Sequence, residues 1–216
     1  NSNLLTSSVG ISAYREDLSF NTNLAVYENL STQGSDRYEV IYPSYDLIKS
    51  LDNPTKLNGN FSIYSSGFFK NYNTNVYEKV VINDFIFNSN AIFTKEGFKN
   101  NYNILIKNIN TDSNNSKKYK NSTDNKLVSI VEYNSSYPLK KQGTKYTDIL
   151  KPKMSLKFSP NKTKNMRNED RRIDINNIFS INRLSAKDTV EGGTSLTYGI
   201  DFLKTDKLSE KNLFEA

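Results

Sequence analysis

Strict alternation of apolar and polar side chains recurs along this chain, and it is clearest in residues 147–202. Leu150, Pro152, Met154, Leu156 and Phe158 fall on one side of an extended backbone, and Lys151, Lys153, Ser155 and Lys157 fall on the other. Leu196, Tyr198, Ile200 and Phe202 alternate in the same way with Ser195, Thr197, Gly199 and Asp201. A period of two is the period of a β-strand, because successive side chains point to opposite faces. One face of each strand is oily and the other charged or hydroxylated, so each strand divides an apolar medium from water. That medium is either a protein core or a lipid bilayer.

The same pattern predicts strands over most of the chain. Residues 5–13 place Val9, Ile11 and Ala13 together, and residues 18–26 alternate Leu18, Phe20, Thr22, Leu24 and Val26 against polar neighbours. Residues 38–47 read as a weaker strand, with Pro43 forcing an edge or a bulge. Residues 57–69, 76–90, 102–109 and 126–135 follow, before the two segments described first. Together these make nine strands, each about as long as a bilayer-spanning β-strand, and another strand is expected to begin near Asn212. Helical spacing and helix caps are scarce. The expected fold is all-β and antiparallel.

The connections divide by length when taken alternately. One set, residues 14–17, 48–56, 91–98, 137–146 and 205–212, is short to middling. The other, residues 29–35, 70–75, 111–124 and 159–192, contains the two longest and most polar stretches. Short turns at one end and long loops at the other are the habit of outer-membrane barrels. An antiparallel sandwich, as a soluble or cell-surface binding module, fits the alternation equally well.

Composition narrows the chemistry. The chain has no Cys and no His, which removes disulfides, thiolate metal sites, the commonest metal ligand and the commonest general base. No carboxylate pair stands out for acid–base work, so no catalytic residue, cofactor or metal is expected. Apolar residues make up 36% of the 216, low for a compact soluble domain but ordinary for barrel strands that are apolar on one face only. No apolar run is long enough for a transmembrane helix. The net charge of +6 comes from a chain in which Lys outnumbers Arg 23 to 6 and Asn occurs 31 times, as A/T-rich codon usage produces. The charges are dispersed and no groove-reading motif accompanies them, so a nucleic-acid partner is not expected. Asn1 opens the chain without Met, basic n-region or apolar h-region, and the chain reads as a piece of a longer protein.

Three segments carry a family resemblance: Ile149-Leu-Lys-Pro-Lys-Met-Ser-Leu-Lys-Phe-Ser-Pro160, Asn176-Asn-Ile-Phe-Ser-Ile-Asn-Arg183 and Asp188-Thr-Val-Glu-Gly-Gly-Thr-Ser-Leu-Thr-Tyr-Gly-Ile-Asp-Phe202, with Asn168-Glu-Asp-Arg-Arg172 between the first two. Together they resemble the LptD family of lipopolysaccharide-assembly outer-membrane proteins, also called the organic solvent tolerance family. The specific match covers residues 147–202, and upstream only strand length, alternation and loop order agree. The resemblance implies that residues 1–216 are an internal part of a large antiparallel transmembrane β-barrel. The family's N-terminal periplasmic jelly-roll domain and its final strands would lie outside the chain. It implies transport and assembly of lipopolysaccharide at the outer leaflet of the outer membrane, with no bond made or broken. The implied partners are lipopolysaccharide itself, a plug lipoprotein inside the barrel (LptE-like) and periplasmic bridge proteins that dock on the missing domain. A porin-like or TonB-dependent barrel is the alternative within the membrane class.

On the barrel reading the apolar face of residues 150–158 meets lipid, because Lys on a lipid face at mid-bilayer costs about 2–4 kcal/mol. Lys151, Lys153 and Lys157 then point into the lumen, towards lipopolysaccharide phosphates or acidic groups of the plug. Ser195, Thr197 and Asp201 share that face by parity. The plainer reading of all six is a solvated polar face. Glu169, Asp170, Arg171 and Arg172 cluster in the longest loop, which the barrel reading places outside the cell. There the acidic pair could hold a divalent cation between phosphates, against the plainer reading of a solvated charged loop. Gly192 and Gly193 are expected to make the tight turn back into a strand.

Overall fold

The computed structural model describes residues 3–53, 57–72, 75–167, 172–209 and 211–215. Twelve strands make one antiparallel sheet: β1 (Leu4–Arg15), β2 (Leu18–Asn29), β3 (Tyr38–Leu51), β4 (Gly59–Tyr72), β5 (Val76–Ser89), β6 (Ile92–Phe93), β7 (Lys99–Asn114), β8 (Asp124–Ser136), β9 (Leu139–Gln142), β10 (Tyr146–Ser159), β11 (Gly193–Asp206) and β12 (Asn212–Glu215). The order is β1-β2-β3-β4-β5-β7-β8-β10-β11-β12, with β6 paired to β7 and β9 to β10. A single 3-10 turn, Gly34–Arg37, is the one helical element among the described residues.

The nine strands expected from alternation are the nine long strands of the sheet, and β12 is the further strand expected near Asn212. Two short pairings, β6 and β9, sit inside connections that the sequence marks as loops. They extend the hairpins locally but are too short to leave a period in the sequence. β7 runs further than expected, to Asn114, because Asn110 and Asp112 keep their ladder partners on β5 although their side chains are polar. The β4–β5 connection is tighter than expected for the same reason: pairing continues to Tyr72↔Val76. Pro43 makes the bulge: β3 is an interior strand, and its register slips against β4 between Ile41 and Ser44. Proline has no N–H for the ladder, so an interior strand tolerates it at an irregularity.

The two longest connections, β7–β8 and β10–β11, leave the sheet at the same end, and their described residues 115–123, 160–167 and 172–192 fold over one face. Val190 is 1% exposed and packs with Leu105 and Ile130. Tyr119 packs beside Val80, Ile82 and Ile109. This loop-covered face holds the apolar core. The opposite face carries no such cover among the described residues.

Candidate functional site

The two faces differ in a way that inverts an ordinary soluble protein. On the bare face Val9, Ile11, Leu24, Phe85, Leu156, Leu196, Tyr198 and Ile200 are all exposed, Tyr198 by 70%. On the covered face Glu78, Lys107, Glu132, Ser155, Lys157 and Thr197 are buried. Water-soluble domains seal apolar side chains and leave charge outside; here the long side chains sealed on the sheet include two lysines and two glutamates.

The exposed apolar band also crosses the sheet obliquely. Leu51, Phe61, Phe87, Ile104, Val131, Phe158 and Thr194 form one row of directly opposed residues. On β4 the apolar residues Ile63 and Phe69 lie on the loop side of this row, as do Phe20, Leu24 and Val26 on β2. On β10 and β11 the band, Leu150–Leu156 and Leu196–Phe202, lies wholly on the turn side. Strands tilted to a flat apolar layer produce this offset, since ladder rows run across the strands and a level layer cuts them at an angle.

Register decides what the covered face assembles. Lys157 stands opposite Glu132 on β8 and opposite Ser195 on β11. Its Nζ lies 3.7 Å from Glu132 Oε1 and also donates to the carbonyl of Ser180 in the long loop. Glu132 accepts from Ser155 Oγ at 3.0 Å, from Asn103 Nδ2 at 2.7 Å and from Asn134 Nδ2 at 2.9 Å. A buried carboxylate is tolerated only with this degree of pairing. Towards the turn end, Lys151 Nζ lies 3.1 Å from Asp201 Oδ2 and Lys153 contacts the other oxygen. Lys153 also sits 4.3 Å from the centre of the Phe179 ring, a cation–π contact. Lys107 pairs with Asp84 at 2.7 Å.

The long loop is built to lie on this face. Arg183 and Glu191 form a two-point ion pair, with Nε donating to Oε2 at 2.6 Å. Asn182 donates to the Thr189 carbonyl at 3.1 Å and accepts from the Glu191 N–H at 3.1 Å. Asp188, 8% exposed, accepts from Lys164 at 2.7 Å, with Lys118 at 3.9 Å. Burial by itself would raise the Asp188 carboxyl, but the Lys164 hydrogen bond and the two ammonium charges outweigh it and hold it below the usual carboxylate range. The loop ends at Gly192, where a Cβ would meet the Asn161 carbonyl oxygen at 2.0 Å, and Gly193, whose φ is +91°. Both positions require glycine, as the sequence suggests.

The structure thus brings Lys151, Lys153, Lys157, Ser195, Thr197 and Asp201 onto one face, and it gives all three lysines carboxylate partners within the chain. Glu169, Asp170 and Arg171 lie outside the described residues. Arg172 is exposed, and its carbonyl accepts from Asn177 Nδ2 at 2.8 Å. Sequence reasoning missed Glu132, Asp188 and the Asp84–Lys107 pair. The signals were Glu132 itself, an acid flanked by Val131 and Tyr133 in an alternating run, and the place of Asp188 at the head of a segment that carries the family resemblance. Among the described residues no cluster of three or more metal-ligating side chains forms, and no helix is long and apolar enough to cross a membrane.

Comparison with curated proteins gives no match. A family model described as LptD, LPS transport system D, matches residues 1–207. That span takes in the β1–β11 sheet and the loops folded on it, so the chain belongs to the LptD family of outer-membrane proteins, which serve the transport and assembly of lipopolysaccharide.

Proposed function

We propose that the sheet is part of the wall of a transmembrane β-barrel in the outer membrane, with the bare face against lipid and the loop-covered face lining the lumen. The observation that carries this reading is the exposed apolar band with its oblique course across the ladder rows. A barrel wall needs an outward apolar layer about 25 Å tall on strands tilted about 35–45°. Two aromatic clusters on the bare face, Phe61–Phe87–Tyr102 near the turns and Tyr42–Phe69–Tyr77 near the loops, would mark the two interfaces, as aromatic girdles do. Residues 1–216 then belong to the barrel domain of the parent, with the periplasmic jelly-roll domain and the final strands elsewhere in it.

The work on this reading is translocation without catalysis. The lumen-facing candidates are Lys151, Lys153, Lys157, Ser195, Thr197 and Asp201. Lys157 is neutralised by Glu132 and acts structurally. Lys151 and Lys153 share one carboxylate, Asp201, which leaves a surplus positive charge facing the lumen for lipopolysaccharide phosphates or for acidic groups of an LptE-like plug lipoprotein. Periplasmic bridge proteins would deliver the lipid through the jelly-roll domain. Arg172 belongs to a loop at the extracellular end.

Residues 1–216 contain no Cys, so no native thiol within this segment competes with an introduced one. Tyr198→Cys and Ile200→Cys, on the bare face, and Lys151→Cys, on the covered face, are introduced into the full-length protein. In urea-washed outer membranes the first two should react with a lipid-soluble maleimide and resist a water-soluble one, and Lys151→Cys should show the opposite preference. Equal reaction of all three with the water-soluble reagent, or loss of the protein from the washed membranes, would favour a soluble β-rich module instead.

A further inference from the structure

Beneath residues 185–188 of the long loop the covered face carries two adjoining clefts, of about 370 and 310 Å³. Each falls within the range of small-ligand clefts, about 300–1,000 Å³. The first has an apolar floor of Phe68, Val80 and Ile82, and residues 185–188 roof it. The second continues past Asp46, Ser66 and Ile82, which line both, to Ile48, Tyr64 and Asp84. Register fixes the direction of this groove. Ser44, Phe68 and Val80 form its row nearest the loops, and Ile48, Tyr64 and Asp84 its row nearest the turns. It therefore runs along the strands, from the turn end towards the loop end. Oxygen atoms stand beside the apolar floor: the Ser44 and Ser66 hydroxyls, the Asp46 carboxylate, and the Asp84 carboxylate held at 2.7 Å by Lys107. In the roof, the Asp188 side chain is 5% exposed, and its Oδ2 takes Lys164 and Lys118. Its Oδ1 has no hydrogen-bond donor among the described residues, although buried carboxylate oxygens ordinarily have one. Beside it Lys187 meets Asp46 at 3.5 Å, with both side chains largely exposed. An exposed pair of this kind is weak, so the edge of the roof yields to a ligand.

We propose that this groove binds an uncharged sugar ring in the saccharide of the lipopolysaccharide being exported. A sugar ring has an apolar C–H face and a rim of hydroxyl groups. Its face fits the Phe68–Val80–Ile82 floor and the Tyr64 ring, and its hydroxyls donate to Asp46 and, with a small shift of the roof, to Asp188. Hydrogen bonds to a carboxylate are stronger than those between neutral groups. A few polar groups set in a mostly apolar cleft fix the orientation of a ligand, and recognition of this kind needs no net charge. The inference rests on the barrel reading above, which makes the covered face the lumen.

The experiment uses the full-length protein purified with its native partners. Its probe is the oligosaccharide released from lipopolysaccharide by mild acid and stripped of phosphate with a phosphatase, and binding is read by equilibrium dialysis. Wild-type protein should bind this probe. D46N should weaken binding roughly tenfold, and S66W, which fills the groove, should abolish it. S66A and Y64F should bind as the wild type does, whereas Y64A should lose affinity with the ring face. Heat-modifiable migration on a gel selects the variants that keep the folded barrel, and D46N alters only an exposed side chain. No binding by the wild type, or binding that survives both D46N and S66W, overturns the proposal and leaves the transport reading untouched. Loss of the co-purifying plug lipoprotein from S66W with sugar binding kept also overturns it and assigns the groove to that partner. Were cells depleted of the protein to deliver lipopolysaccharide to their surface at the normal rate, the transport reading itself would fall.

Discussion

Lys157 on β10 and Glu132 on β8 face each other with 3.7 Å between Nζ and Oε1, and both side chains are at most 5% exposed. Their register makes this a cross-strand pair, and the Ser180 carbonyl above Lys157 ties it to the long loop. The pair joins the sheet to the element that covers it. Removing one member leaves a buried charge without a partner, which costs about 3–5 kcal/mol, whereas replacing both by apolar groups is often neutral. Glu132→Gln should therefore lower the thermal transition of the folded barrel, read as heat-modifiable migration on a gel, and Glu132→Leu with Lys157→Met should recover much of the loss. Equal damage from the single and double variants would mean that the pair is not the unit of stability.

The return of the loop to the sheet depends on Gly192. A methyl group there would overlap the Asn161 carbonyl, so Gly192→Ala must displace one of the two backbones. Overpacking of this kind costs about 1–3 kcal/mol. The expected result is faster cleavage within residues 160–192 by a protease added to whole cells, with the strands still intact. Unchanged cleavage would show that the backbone adjusts without releasing the loop.

Acid should release the same loop through Asp188. Its carboxyl is held below the ordinary value of about 3.9, because the Lys164 hydrogen bond and the neighbouring ammonium charges outweigh the effect of burial. A depressed folded-state pKa adds stability that is full above the unfolded value and is lost as pH falls through the folded value. Labelling of an Ala186→Cys reporter, buried in the folded loop, should stay slow down to about pH 4 and accelerate below it. Asp188→Asn should label quickly at neutral pH with a flattened acid response. An acid response that persists in Asp188→Asn would assign the switch to another group.

Edge chemistry predicts the behaviour of residues 1–216 made alone. β1 ends the described sheet, its outer edge has no strand against it there, and its side chains are exposed along its whole length. Long, apolar, unpaired edges recruit other strands. In water without detergent the isolated segment should sediment as aggregates rich in β-structure. A monodisperse, soluble product would show that the bare face does not need lipid and would weaken the barrel reading.

Strand identity was legible from residues such as Leu150–Phe158, because a two-residue period follows from backbone geometry alone and needs no knowledge of neighbours. The same parity placed Lys151, Lys153, Lys157 and Asp201 on a common face, and Pro43 announced its bulge because a missing N–H is a local property. What could not be read was which charges meet. Lys151 reaches Asp201 across the β10–β11 pair, and Glu132 reaches Lys157 across the β8–β10 pair, only because loop geometry sets the register, and a slip of one residue would send every side chain to the opposite face. Nor could the sequence tell that the described residues of the β7–β8 and β10–β11 connections fold back over the sheet, since Val190 and Tyr119 are isolated apolar residues whose burial depends on partners far along the chain. The sequence by itself determined strands with one oily and one polar face. Tertiary structure alone decided which face was covered, because burial and ion pairing belong to the arrangement of strands and loops and not to any one segment.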